Sequence, residues 1–153
     1  MARLEDLPTG MVEHMKLLPC PDLGETACAS GPPLHRRRVA IVSTAGLGRK
    51  SEGGFKPGDA DYRVLPANLP ASDLTMSHIS VNYDRTGFQE DINIAFPIER
   101  LKELANAGEI GSVADYHYSF MGASDPVLMQ PAVESLIGPL KADGVDAVVL
   151  IPV

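Results

Sequence analysis

From residue 38 onward, apolar and polar positions follow two rhythms, one with the period of a strand and one with the period of a helix. Val39 to Ala45 (VAIVSTA) is an apolar, β-branched run that predicts a buried strand. Tyr62 to Leu65 predicts a second strand, closed by Pro66, and Leu74 to Val81 a third. Around Ile79, Val81 and Tyr83 the alternation is that of a half-buried strand. Val113 to Phe120 places Tyr116, Tyr118 and Phe120 on one side and His117 and Ser119 on the other. Asp146 to Val153 (DAVVLIPV) is apolar almost throughout and predicts a strand buried on both faces.

The helical rhythm appears twice. Ile98, Leu101, Leu104 and Ala105 predict a helix that opens at Pro97 and stops at Gly108. Asp125 as cap and Pro126 at the first position open another, with Val127, Leu128, Val133, Leu136, Ile137 and Leu140 as its apolar face. Pro131 and Pro139 inside it predict a kink or two short helices. Strand, loop, strand, helix, strand, helix, strand implies an α/β fold. The expected architecture is a mainly parallel, flavodoxin- or Rossmann-like sheet with flanking helices. Residues 1–37 read as an irregular arm with one short helix between Leu7 and Leu18, and residues 38–153 as the α/β domain.

Composition narrows the function classes. A net charge of −7 over 153 residues argues against a nucleic-acid or anionic-membrane partner. His35-Arg36-Arg37-Arg38 is the basic cluster and reads as a solvated lead-in to the first strand. No membrane span or export signal is seen, which predicts a cytoplasmic protein. Cys20 and Cys28 match no common metal or redox spacing and read as ordinary thiols. Gly46-Leu47-Gly48 follows the first strand as a phosphate-binding turn would, but a third glycine opening a helix is missing. A small-molecule-binding domain using that turn is one alternative function, and a non-catalytic assembly or regulatory domain is another.

Between the third strand and the first long helix lies a polar knot: Asn82, Asp84, Arg85, Thr86, Gln89, Glu90, Asp91 and Asn93. The stretch HISVNYDRTGFQEDINIAFPIERLKEL, then GEIGSVADYHYSFMG, then GVDAVVLIPV resembles the selenoprotein B-type subunits of the glycine/sarcosine/betaine/D-proline reductases, the D-proline branch above all. VAIVSTAGL and GDADYRVLP fit the same pattern, so the resemblance covers about residues 38 to 153. It implies a reductase that cleaves a C–N bond of an amino acid or derivative through a selenocysteine or cysteine. It also implies a partner subunit carrying a pyruvoyl group, an external dithiol as reductant, and an oligomeric complex; no cofactor is expected on this chain. The family's reactive residue follows a strand resembling DAVVLIPV, so it is expected immediately after Val153. The chain then reads as the front part of a longer protein, its C-terminal part missing, and inactive alone.

Within that frame the candidate residues have chemical reasons. Arg85 is the candidate for a substrate carboxylate, because a guanidinium offers two parallel hydrogen bonds. Asp84 and Asp91 are candidates to hold Arg85 or to meet a substrate amine. His78 and His117 are candidate acid–base groups, since imidazole titrates near neutrality. Asn82 and Ser119 are candidate hydrogen-bond donors to substrate, or satisfy turn backbone. No set has the tight spacing of a metal site.

Overall fold

The computed structural model describes residues 4–17, 22, 24, 29–80 and 85–153. The expected α/β fold forms around one central strand, β1 (Arg38–Ser43), whose core positions are fully buried. One edge of β1 pairs with two short segments in succession, β5 (Ser112–Val113) and β6 (Tyr116–Ser119). Its other edge pairs with β7 (Ala147–Ile151), from Val39 opposite Ala147 to Ser43 opposite Ile151. All three pairings are parallel. β3 (Arg63–Pro66) lies antiparallel outside β6. The sheet therefore reads β3, then β5/β6, then β1, then β7. A separate antiparallel ribbon joins β2 (Leu47–Arg49) to β4 (Leu74–Met76).

Two helices cover opposite faces. α3 (Ile98–Asn106) lies on the face where Val39, Ile41, Leu47, Leu65, Phe96, Ile98 and Leu101 form the larger core. It is preceded by the short α2 (Thr86–Glu90). α4 (Pro126–Ala142) covers the other face, where Leu136 packs on Tyr118 and Phe120. Its start is as expected: Val127 N–H donates to the Asp125 carboxylate at 2.9 Å, and Pro126 occupies the first turn. α1 (Thr9–Lys16) buries no side chain.

Four expectations change. The strand expected over Val113–Phe120 is interrupted, because the N–H groups of Asp115 and Tyr116 both turn to the Asp143 carboxylate, at 2.8 and 3.0 Å. Helix α4 is continuous through Pro131 and Pro139 rather than split into two short helices; each proline removes a single N–H donor, and Leu136 between them stays packed on Tyr118 and Phe120. β7 is not buried on both faces: Ala147, Val149 and Ile151 face the larger core, while Val148 and Leu150 are exposed. Arg38 is no solvated lead-in. It forms an ion pair with Asp143 at 2.6 Å and with Asp115 at 3.1 Å, and its Nη1 donates to Val113 O. That cluster ties the end of α4 to the start of β1.

The third strand also shortens. It ends at Met76, and one further in-register bond, from Ser77 N–H to Gly46 O, closes the ribbon. Gly46 holds φ at +66°, which a side chain would disfavour. The Gly46–Gly48 turn leads directly into β2 and opens no helix.

Candidate functional site

Parallel strands present their carboxyl ends on one rim, where α/β folds hold ligands. Here three such ends meet. Thr44, just past β1, accepts at Oγ1 from Val153 N–H at 2.8 Å, and Thr44 N–H donates to Ile151 O. Gly122, past β6, donates to Thr44 O at 2.8 Å. A Cβ on Gly122 would stand 2.4 Å from Val153 O and 2.9 Å from Thr44 O, so a glycine is required for the strand ends to close. The rim continues through Gly46, where a Cβ would meet Met121 at 2.8 Å and His78 N at 3.0 Å. Arg85 follows, its guanidinium donating to His78 O. Thr44, Gly46, Met121, Gly122, Val153, His78 and Arg85 therefore form one strip.

His78 is buried, and its Nδ1 accepts from Ser80 N–H at 3.2 Å. Burial, and then the positive charge of Arg85, lower its pKa, so the imidazole is neutral at pH 7. Asp91 is spent elsewhere: it caps the turn Ile92–Ile94 and accepts from Asn93 N–H and Nδ2, both at 2.9 Å. Those bonds hold its carboxyl below the usual carboxylate range. Asn93 in turn accepts from Glu99 N–H at 3.1 Å, which fixes the loop to the start of α3.

His117 and Ser119 lie within the sheet and are fully buried, Ser119 directly behind the rim opposite Ser43. His117 Nδ1 accepts from Ile41 N–H at 2.9 Å, standing in for a carbonyl where the ladder between β1 and β6 is interrupted. The proton is therefore on Nε2, and Phe96 meets the ring edge-on at 5.4 Å between centroids. Burial is the main cause that lowers the His117 pKa to about 4. Ser119 Oγ accepts from Leu47 N–H at 2.9 Å. Both side chains close backbone hydrogen bonds rather than face the rim.

The structure thus brings His78 and Arg85 together and leaves Asp91, His117 and Ser119 in other places. Asn82, Asp84, Cys20 and Cys28 lie outside the described residues. Thr44 and Gly122 are not singled out by the sequence, and Met121 reads there as core or subunit interface rather than a stacking site. Their signal was present in the three apolar runs VAIVST, YHYSFMG and VVLIPV, whose ends share one rim once the strands are parallel. Among the described residues, no group of three or more His, Cys, Asp or Glu side chains could hold a metal ion. Among them, too, no helix is long and apolar enough to cross a membrane.

A profile for the glycine/sarcosine/betaine reductase selenoprotein B family matches residues 64–152. D-proline reductase subunit gamma of Acetoanaerobium sticklandii is 36% identical over 118 residues, covering 73% of this chain and 47% of that protein. Glycine reductase complex component B subunit gamma of Carboxydothermus hydrogenoformans is 33% identical over 123 residues, covering 76% of this chain and 28% of that protein. The chain spans less than half the length of these two relatives. No solved structure matches it.

Proposed function

Because the chain belongs to the glycine/sarcosine/betaine reductase selenoprotein B family, we propose that it is part of a subunit of a selenol- or thiol-dependent amino-acid reductase, with D-proline as the first substrate to test. The observation that supports this reading is the convergence of β1, β6 and β7 on the Thr44–Gly122–Val153 rim beside Arg85. In this reading the chalcogen residue follows β7, and Thr44 and Gly122 set the direction in which the backbone leaves the sheet.

Arg85 carries five N–H donors, more than its bond to His78 O occupies, so it is the group to bind a substrate carboxylate. Asp84 and Asn82, close to it in sequence in the polar knot, are candidates to orient it. Neutral His78 adds no second charge to compete for that carboxylate. The electron balance is two electrons per C–N bond: the dithiol is oxidised to a disulfide, and carbon and nitrogen each gain a hydrogen. A partner subunit's pyruvoyl group would bind the substrate amine; this chain's residues are asked only to position the carboxylate and the chalcogen.

The test is reduction of D-proline by dithiol, using protein with selenocysteine or cysteine after Val153 together with its pyruvoyl-bearing partner. Turnover is expected, and Arg85→Lys is expected to raise the apparent KM at least tenfold, a loss of about 1.4 kcal/mol. No reduction of D-proline, glycine, sarcosine or betaine would overturn the reading. An unchanged KM would remove Arg85 from the substrate carboxylate.

A further inference from the structure

The two flanks of α4 meet different surroundings. Met129, Ala132, Leu136 and Leu140 form the stripe seated on Tyr118 and Phe120. Each helical residue advances about 100°. Pro139 and Ala142 therefore lie on one flank, where they close a cavity of about 380 Å³ with Val64 and Tyr116 on the β3 side. Val133 and Ile137 lie on the opposite flank, toward β7, and each is 50% exposed. β7 turns Val148 and Leu150 to the same side of the sheet, 39% and 71% exposed. The result is an apolar groove with α4 as one wall and bare sheet as its floor.

The outer edge of β7 is open as well. Among the described residues only β1 pairs with it. Its sequence, AVVLI, has no charge, proline or glycine, the devices that protect a natural sheet edge. Apolar residues on both faces are the composition of an interior parallel strand. A second copy of the chain does not fill this space. Strands lie about 4.8 Å apart, and α4 sits over β6 and β1. Two copies joined through β7 would hold their α4 helices roughly 19 Å apart, whereas packed helices stand about 8–10 Å apart.

We propose that this groove and edge seat a helix–strand unit. An amphipathic helix lies beside α4 with its apolar stripe on Val133, Ile137, Val148 and Leu150, and an apolar strand pairs parallel with β7. The unit belongs to the same reductase polypeptide, since the matched region is only 47% and 28% of the two relatives' lengths. The source of the unit rests on the reductase reading; the groove does not.

Hydrogen exchange tests it by comparing residues 1–153 with the longest polypeptide read from the same gene. Amides of β7 and of the α4 flank are expected to exchange at least tenfold more slowly in the longer protein. Leu150→Glu and Val133→Glu, both at exposed positions, should each abolish that protection without changing the circular dichroism of residues 1–153. Equal exchange in the two proteins overturns the proposal. So does a gene that encodes no such unit, or a concentration-dependent dimer of residues 1–153 that protects β7 by itself. Protection in a longer protein that reduces no amino acid supports the docking surface and removes the reductase reading, so the two failures are separable.

Discussion

The two faces of the central sheet are built to different standards. On the α3 face, Val39, Ile41, Leu47, Leu65, Phe96 and Leu101 interlock, and β7 adds Ala147, Val149 and Ile151 to the same core. On the α4 face, Leu136 is the one helix residue buried, and Val127, Leu128, Val133, Ile137 and Leu150 along α4 and β7 are half-bare or more. One sheet therefore has a side that closes on itself and a side that ends partway. The difference separates what sets the fold of this chain from what it presents to a neighbour.

The sharpest way to break the comparison is to cut into both cores. Ile41→Ala, fully buried on the closed side, should cost about 4 kcal/mol of unfolding free energy. Leu136→Ala on the other side should cost less, about 2 kcal/mol, because only Tyr118 and Phe120 are buried beside it and its other neighbours are partly exposed, which lets the site relax. Urea denaturation of both variants decides; equal losses would erase the distinction between the faces.

The Arg38–Asp143 pair comes next, since it ties the open-side helix to β1. Asp143→Ala leaves Arg38 with the exposed Asp115 as its one carboxylate partner among the described residues and removes the acceptor of two backbone N–H groups, and should cost about 3 kcal/mol. Burial pushes the Asp143 carboxyl upward. Hydrogen bonds from Arg38 and from the N–H groups of Tyr116 and Asp115, with the charge of Arg38, outweigh that and hold the carboxyl below its usual value of 3.8. This contribution is complete above that usual value and is lost as the pH falls through the lowered one. An acid titration of stability should show that loss in the parent and not in Asp143→Ala.

His117 gives an effect of similar size confined to a milder window. Its pKa falls from 6.5 to about 4 on folding. The unfolded chain therefore binds the proton more readily, and stability should decline between pH 6.5 and pH 4 by about 3 kcal/mol. His117→Asn keeps an acceptor for Ile41 N–H but does not titrate, so its stability should be flat in that range apart from other groups. The smallest effect is expected on the bare flank. Ile137→Asp should change the stability of residues 1–153 by less than about 0.5 kcal/mol.

Much of this layout is legible in the sequence because local pattern and tertiary position agree. Val39–Ala45 is β-branched and apolar and becomes the central strand. Asp125-Pro126 caps and opens α4 as its chemistry requires. Misreadings arise where a distant group competes for local backbone. Asp143 draws the N–H groups of Asp115 and Tyr116 out of the expected strand, from 28 and 27 residues away. Arg38 reads as solvated until its partner arrives from 105 residues downstream. β7 reads as doubly buried because composition reports what a strand is suited to, not which neighbours accompany it. In the candidate site, Arg85 is legible as a polar residue of the knot, whereas His78 reads as part of the third strand and lies beyond its end at Met76. His117 and Ser119 carry equally polar side chains, but the register of β6 turns them inward onto backbone donors.

The central position of β1 also has a consequence for how the molecule is made. Its two edges are filled by segments that emerge from the ribosome much later, and Arg38 N–H finds its Asp146 acceptor 108 residues downstream. So this early apolar segment must stay unpaired while 108 further residues are made, a high contact order that slows folding and exposes the nascent chain to aggregation. Translation pauses or chaperone occupancy should therefore matter most for the interval between the appearance of Val39 and the appearance of Ile151.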